Sequence, residues 1–158
     1  MIRALVVTAS NRAAAGVYPD RSGALLADLL REAGCEVSGP VVVPDGEPVE
    51  TALRDGVAQG FDVIVTTGGT GLTPQDLTPE MTARVISREI PGIAEAIRQS
   101  NRDKVPTAVL SRGLAGQVGR TLIVNLPGST GGVRDGVAVL GPILAHAVDQ
   151  IRGGDHSG

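Results

Sequence analysis

Gly68-Gly69-Thr70-Gly71 follows directly on the apolar run Val63-Ile64-Val65-Thr66-Thr67 and precedes an acid, Asp76, and a helix start at Thr78-Pro79. A strand that opens into such a loop places backbone N–H groups where they can surround an anion. Gly68, Gly69 and Gly71 tolerate positive φ and let a ligand approach the main chain, and Thr70 adds a hydroxyl donor to the same concavity. Asp76 supplies a charge through which Mg2+ can bridge to phosphate oxygens. Thr78 as N-cap with Pro79 at N1 turns the positive end of a helix dipole toward the loop. The chemistry implied is phosphate binding. The same residues also read as a plain tight turn, since they lack the Gly-Lys-Ser/Thr ending of a P-loop and the third glycine of the dinucleotide fingerprint.

The elements that must position this loop alternate. Arg3 to Thr8 reads as a buried strand, followed by a polar loop from Ser10 to Gly16 and a helix on Leu25, Leu26, Leu29, Leu30 and Ala33, with Asp20 or Ser22 as cap and Gly34 as stop. Val37 to Val43 is a second strand ending at Pro44-Asp45-Gly46, Pro48 opens a helix on Val49, Leu53 and Val57, and Asp62 to Thr67 is the third strand. This β-α-β-α-β order predicts an α/β fold: a three-layer α/β/α sandwich around a mainly parallel, doubly wound sheet. Further on, Pro79 to Arg88 and Ile93 to Arg102 read as helices. Ala108 to Leu114 and Arg120 to Leu126 read as a hairpin excursion turning through Ala115 to Gly119. A C-terminal helix over Val133 to Ile151 is expected to kink or break at Gly141-Pro142, and residues 153–158 to form a flexible tail after a single domain of residues 1–152.

In open parallel sheets ligands bind beyond the carboxyl ends of the strands. Four loops are loaded there: Ser10-Asn11-Arg12 after strand one, Asp45 after strand two, Gly68 to Asp76 after strand three, and Asn125-Leu126-Pro127-Gly128-Ser129 after the later strand. Asp45 and Asp76 then become neighbours able to share the hydration shell of one Mg2+ that also holds phosphates, which points to metal-assisted phosphoryl chemistry. Other uses stay open: Asp45 as the middle of a Pro-Asp-Gly turn, Asp76 as an acid favouring a helix start, Ser129 as an N-cap. Ser129 has no His/Asp partner in sequence that would activate it, so it is assigned to binding. Arg12, Arg112 and Arg134 read as either phosphate clamps or solvated surface arginines.

At 158 residues the chain is long enough to bury a core without disulfides, and 42% of it is hydrophobic although Phe61 and Tyr18 are the only aromatics. The core must therefore be aliphatic. A net charge of -3 and the lack of base-stacking residues exclude a general nucleic-acid surface. The lone Cys35 reads as a buried hydrophobe with no zinc partners, and no signal peptide or membrane span is legible, so a cytoplasmic location and no membrane partner are expected.

Thr66-Thr67-Gly68-Gly69-Thr70-Gly71-Leu72-Thr73-Pro74-Gln75-Asp76-Leu77-Thr78-Pro79-Glu80, Val43-Pro44-Asp45-Gly46, Val105-Pro106-Thr107-Ala108-Val109-Leu110-Ser111-Arg112 and Asn125-Leu126-Pro127-Gly128-Ser129 together resemble the molybdenum-cofactor biosynthesis proteins of the Mog and MoaB type, across nearly the whole chain. The resemblance implies a molybdopterin-binding-domain-like fold, usually trimeric, and adenylylation of molybdopterin by Mg-ATP with release of pyrophosphate. The product would be handed on to a molybdate-insertion protein. It implies catalytic and Mg2+-binding roles for Asp45 and Asp76. Nucleotide-phosphate contacts fall to Gly68, Gly69, Thr70 and Gly71, and substrate contacts to Asn125, Pro127, Gly128 and Ser129. Two positions depart from the family pattern: Asn11 stands where many relatives carry Asp, and Thr130-Gly131-Gly132 replaces the more usual Pro-Lys. The competing readings are a non-catalytic molybdopterin carrier and, outside the family, a nucleotide-binding switch protein.

Overall fold

The computed structural model describes residues 1–154. β1 (Arg3–Ala9) leads through the one-turn α1 (Asn11–Ala14) to α2 (Arg21–Glu32) and β2 (Glu36–Val43), and α3 (Glu47–Ala58) returns the chain to β3 (Val63–Thr67). After the glycine loop come α4 (Thr78–Val85), β4 (Arg88–Glu89), α5 (Pro91–Gln99), a 3-10 turn (Pro106–Leu110), β5 (Ala115–Val118), β6 (Thr121–Leu126) and α6 (Thr130–Ile151). The strands form one sheet in the order β2-β1-β3-β6-β5-β4, with β2, β1, β3 and β6 parallel and β5 antiparallel to both its neighbours.

Side chains alternate across the strands, and this alternation divides the core in two. Ala4 and Val6, Val63 and Val65, and Leu122 and Val124 face one side, where Leu26 and Leu30 of α2, Ile93 and Ile97 of α5, and Val133, Leu140 and Leu144 of α6 cover them. Leu5 and Val7, Ile64 and Ile123 face the other, against Val49 and Leu53 of α3 and Met81 and Val85 of α4. The result is the three-layer α/β/α sandwich expected from the element order.

Several boundaries differ from the sequence reading. The segment from Ala108 to Leu114 is no strand: Pro106 starts a 3-10 turn, and the first hairpin arm is Ala115–Val118, pairing Ala115 with Val124 and Val118 with Thr121. A two-residue turn with Gly119 at φ 54° closes it. Gly116, which looked like a turn glycine, is required by packing, because an added Cβ would lie 2.6 Å from the Arg88 carbonyl oxygen of β4. The first helix after the glycine loop stops at Val85, leaving Arg88–Glu89 free to pair with β5. α6 begins at Thr130 and runs unbroken through Pro142. Buried Val137, Leu140, Leu144 and Val148 hold the helix on both sides of the proline, while Pro142 and Ala138, whose carbonyl loses its donor, are exposed. Of the expected tail, Gly153 and Gly154 are tied back to α6 by N–H donation to Gln150 and Asp149, and residues 155–158 lie outside the described residues.

At the amino end of the parallel strands Asp62 latches both ends of the described chain. Its carboxylate accepts the Arg3 N–H at 2.8 Å and pairs with the Arg152 guanidinium at 2.6 Å. Burial pulls the Asp62 carboxyl upward, but the Arg3 amide and Arg152 outweigh it and hold the group below the usual range.

Candidate functional site

The carboxyl ends of β1, β2, β3 and β6 share one rim, and the winding reverses between β1 and β3, since α2 lies on one face and α3 on the other. Such a reversal opens a crevice between the two strands. Ser10, Asp45, the glycine loop and Pro127 to Ser129 all emerge at this rim. Asn125 lies beneath it, within β6 and buried.

The loop is built by close approach. Gly68 and Gly69 take φ of 96° and 69°. A Cβ on Gly68 would strike the Ala9 carbonyl oxygen, and one on Gly69 would strike the Asp45 carboxylate and the Thr78 hydroxyl. Gly71 does not take the expected positive φ; its constraint is Asp76, whose Oδ2 would sit 2.9 Å from an added Cβ. On the far side Gly128 packs against Gly68, where an added Cβ would be 3.3 Å from the Gly68 Cα.

The two acids flank this loop but do different work. Asp45 Oδ1 accepts from the Gly46 N–H at 2.8 Å and the Thr78 hydroxyl at 3.1 Å, Oδ2 accepts from the Leu77 N–H at 3.2 Å, and the Asp45 N–H donates to Asn11 Oδ1 at 3.0 Å. Thr78 is thus the first residue of α4 rather than its cap. The N-cap position is Leu77, and Asp45 serves α4 from outside by accepting one of its unpaired N–H donors. Asp76 is half-buried, and its Oδ2 accepts from the Thr73 N–H at 3.0 Å and hydroxyl at 2.8 Å. Its Oδ1 has no donor among the described residues.

Arg112, one of three arginines that sequence left open, clasps the loop from outside. Its backbone N–H donates to Thr70 O at 2.9 Å, Nε to Gly71 O at 2.8 Å, Nη2 to Asp76 O at 2.7 Å and Nη1 to Glu80 Oε2 at 2.7 Å. Hydrogen bonding to Arg112 lowers the Glu80 carboxyl, and the same bond, with the charges of Glu80, Asp76 and Asp45, raises the guanidinium. Nothing in the spacing of Ser111-Arg112-Gly113 announces this, because its partners are three carbonyls and the Glu80 carboxylate, which only the fold brings near.

Asn125 works from behind. Nδ2 donates to the Thr66 and Thr82 hydroxyls, each at 3.0 Å, and Oδ1 accepts from the Leu114 N–H at 3.0 Å, so its polar atoms are spent on β3, α4 and the segment carrying Arg112. Pro127 and Gly128 are pinned through their carbonyls by the Thr67 hydroxyl, at 2.7 Å, and the Ser22 hydroxyl, at 2.5 Å. Ser129 is the N-cap of α6, accepting from Gly132 N–H at 3.0 Å, and Ser10 caps α1, accepting from Ala13 N–H at 3.2 Å.

Two cavities open at the rim. The larger, about 870 Å³, takes Gly69, Thr70, Gly71, Asp76 and Gly128 into its wall and extends between α5, the 3-10 turn and the start of α6. The smaller, about 610 Å³, lies over the β1 and β3 ends and is lined by Ser10, Tyr18, Asp20, Thr67, Gly68 and Gly128. Asp45 reaches neither wall. Among the described residues no cluster of three or more His, Cys, Asp or Glu forms a closed metal centre. A single carboxylate oxygen open to a cavity, with phosphate and water oxygens completing the shell, is how Mg2+ is commonly held, and Asp76 Oδ1 fits that arrangement.

The family model for a probable molybdopterin binding domain matches residues 5–146, which include every element of this rim. The chain belongs to that family. It is 40% identical over 157 residues to a molybdenum cofactor biosynthesis bifunctional protein of Chlorobaculum tepidum, covering 98% of this chain and 50% of the relative. The chain spans about half the length of the bifunctional relatives it matches. With a molybdopterin adenylyltransferase of Helicobacter pylori it shares 37% identity over 152 residues, covering 94% of this chain and 86% of that enzyme. A solved structure of MogA superposes with a TM-score of 0.92 at 56% identity, covering 94% of this chain and 99% of the other. Among the described residues no helix is long and apolar enough to cross a membrane.

Proposed function

We propose that this domain is a nucleotidyltransferase of molybdenum cofactor biosynthesis that adenylylates molybdopterin with Mg-ATP, releasing pyrophosphate. The observation that carries the reading is Asp76: a carboxylate with one oxygen uncommitted among the described residues, in the wall of a large cavity that Gly69, Thr70 and Gly71 also line. Likeness to a named molybdopterin adenylyltransferase over nearly the full chain supplies the substrate class.

In the reaction a terminal phosphate oxygen of molybdopterin attacks the α-phosphorus of ATP, the bond from that phosphorus to the β-phosphate oxygen breaks, and pyrophosphate leaves. The phosphate nucleophile is already ionised at neutral pH, so no side chain need act as base. The protein's tasks are alignment and charge neutralisation. Asp76 Oδ1 would hold Mg2+ with ATP phosphate oxygens, the ion offsetting charge on the transferring group. Gly68 to Gly71 receive the nucleotide phosphates, and Pro127, Gly128 and Ser129 border the second substrate. Asp45 acts through α4 and the loop, fixing Gly69 and adding negative potential without itself facing the cavity. A homotrimer and transfer of product to a molybdate-insertion protein belong to the same reading and follow from the family resemblance, and a cytoplasmic location is kept as the default of the sequence reading.

The test is pyrophosphate release from Mg-ATP and molybdopterin by the purified protein. Asp76→Ala is expected to abolish turnover while retaining the wild-type circular dichroism spectrum. Undiminished release in that variant removes Asp76 from its assigned role. Molybdopterin binding with no release by the wild type favours the carrier reading instead.

A further inference from the structure

We propose that Arg98 and Arg134 form a second anion-binding point in the larger cavity, taking a phosphate-class oxyanion of the substrate seated there. The identity of that substrate rests on the adenylylation reading; the anion point rests on the cavity itself. Both arginines line its wall, on the adjacent helices α5 and α6. Neither meets a carboxylate: the ion pairs among the described residues are Arg31–Asp28, Arg54–Glu50, Arg84–Glu50, Arg112–Glu80 and Arg152–Asp62.

Arg98 is half-buried and held by main chain, its Nη1 donating to Ser111 O at 3.3 Å and Gly113 O at 2.9 Å. Nε and Nη2 have no acceptor among the described residues, so one edge of a pre-positioned guanidinium is unspent. Arg134 is exposed and has no hydrogen bond or ion pair among the described residues, and beside it Gly131 leaves open space, with nothing within 4 Å of an added Cβ. The acids of the same wall, Asp76 and Asp135, form no ion pair with either arginine. Asp76 is turned to Thr73 at the glycine loop, and Asp135 accepts from Asn101 Nδ2 at 3.2 Å. Two guanidinium groups in one concave wall keep N–H donors uncommitted within the described residues, and their planar forks match phosphate oxygens. The cavity thus has two anion-directed stations: the glycine loop with Asp76, and this arginine pair.

Isothermal titration with pyrophosphate, in the absence of nucleotide and pterin, tests the pair independently of turnover. The wild type should bind, and Arg134→Gln and Arg98→Gln should each weaken binding by about fivefold to tenfold, with a shallower salt dependence. Arg134→Lys should recover part of the loss, and Arg31→Gln on the outer face of α2 should change nothing. Arg98 also supports the 111–113 backbone, so Arg134, which has no intramolecular partner among the described residues, decides the matter. No pyrophosphate binding by the wild type, or wild-type affinity in Arg134→Gln, overturns the proposal. Where turnover is present, a raised KM for ATP alone in Arg134→Gln assigns the point to nucleotide phosphates, and a raised KM for molybdopterin alone assigns it to the pterin phosphate. An unchanged KM for both overturns it. Loss of pyrophosphate affinity in a protein that shows no adenylylation would sustain the anion point while defeating the proposed function.

Discussion

Replacing Arg112 by alanine should damage catalysis more than stability. The side chain makes one solvent-facing contact, to Glu80, and two contacts to loop carbonyls, Gly71 O and Asp76 O. The Arg112 and Glu80 side chains are 35% and 48% exposed, so their ion pair contributes at most about 1 kcal/mol. The carbonyl contacts are partly shielded and would each be worth about 1.5 kcal/mol, but water recovers part of this once the side chain is gone. A net loss of about 2 kcal/mol follows, or roughly 4–8 °C in Tm for a domain of this size. Catalysis senses geometry more steeply: displacing the loop and Asp76 by about 1 Å can cost on the order of a hundredfold, so kcat for pyrophosphate release should fall by about 10- to 100-fold. KM for Mg-ATP should move less than about threefold, because the uncommitted Asp76 oxygen and the glycine amides remain. Arg112→Lys keeps the charge but not the planar fork, and should restore part of the Tm and little of kcat. Thermal unfolding by circular dichroism and steady-state pyrophosphate release measure both quantities. A kcat within twofold of wild type alongside the lowered Tm, or full rescue by lysine, would refute the view that the guanidinium sets the loop's shape.

Asp45→Asn should lower Tm more than Asp76→Asn, by about 1–3 kcal/mol of unfolding free energy, because an amide group would face the donors of Gly46, Leu77 and Thr78 whereas Asp76 retains an oxygen for Thr73; calorimetry of the two variants gives the order. Asn125→Leu leaves the Leu114 N–H and the Thr66 and Thr82 hydroxyls without their partner in a buried site and should cost about 2–4 kcal/mol, read as a lower urea midpoint with unchanged m. Asp62 has a lowered carboxyl pKa in the folded protein, so its stabilisation is fully present above the unfolded value of about 4 and is lost as pH falls through the folded value. The Tm gap between wild type and Asp62→Asn should therefore be constant from pH 7 to 5 and close below about pH 4; a gap that widens on acidification contradicts the Arg3 and Arg152 contacts.

The fold was legible because its strands are β-branched runs of alternating facing, each followed by a glycine, proline or capping residue at the rim. Two of the departures from the sequence reading, the strand through Gly116 and the helix unbroken at Pro142, share one physical feature. Around Gly116 and Pro142 local chemistry opposes strand and helix, and contacts distant in sequence decide otherwise: the close crossing of β4 in one case, an apolar stripe spanning the proline in the other. At the site, the glycines and Asp76 could be named from spacing because main-chain approach and a loop acid follow directly from residue type. The burial of Asn125, the saturation of Asp45 and the clasp of Arg112 could not. Each depends on which carbonyls, amides and hydroxyls from three or more segments come within hydrogen-bond reach.

The Asp62 latch has a practical corollary. α6 leaves the rim at Thr130 and, at 1.5 Å per residue, carries the chain about 33 Å before Arg152 reaches Asp62 beside Arg3. The described chain therefore starts and ends at the pole opposite the two openings, and an affinity tag joined ahead of Arg3 would hang there, clear of any ligand entering them.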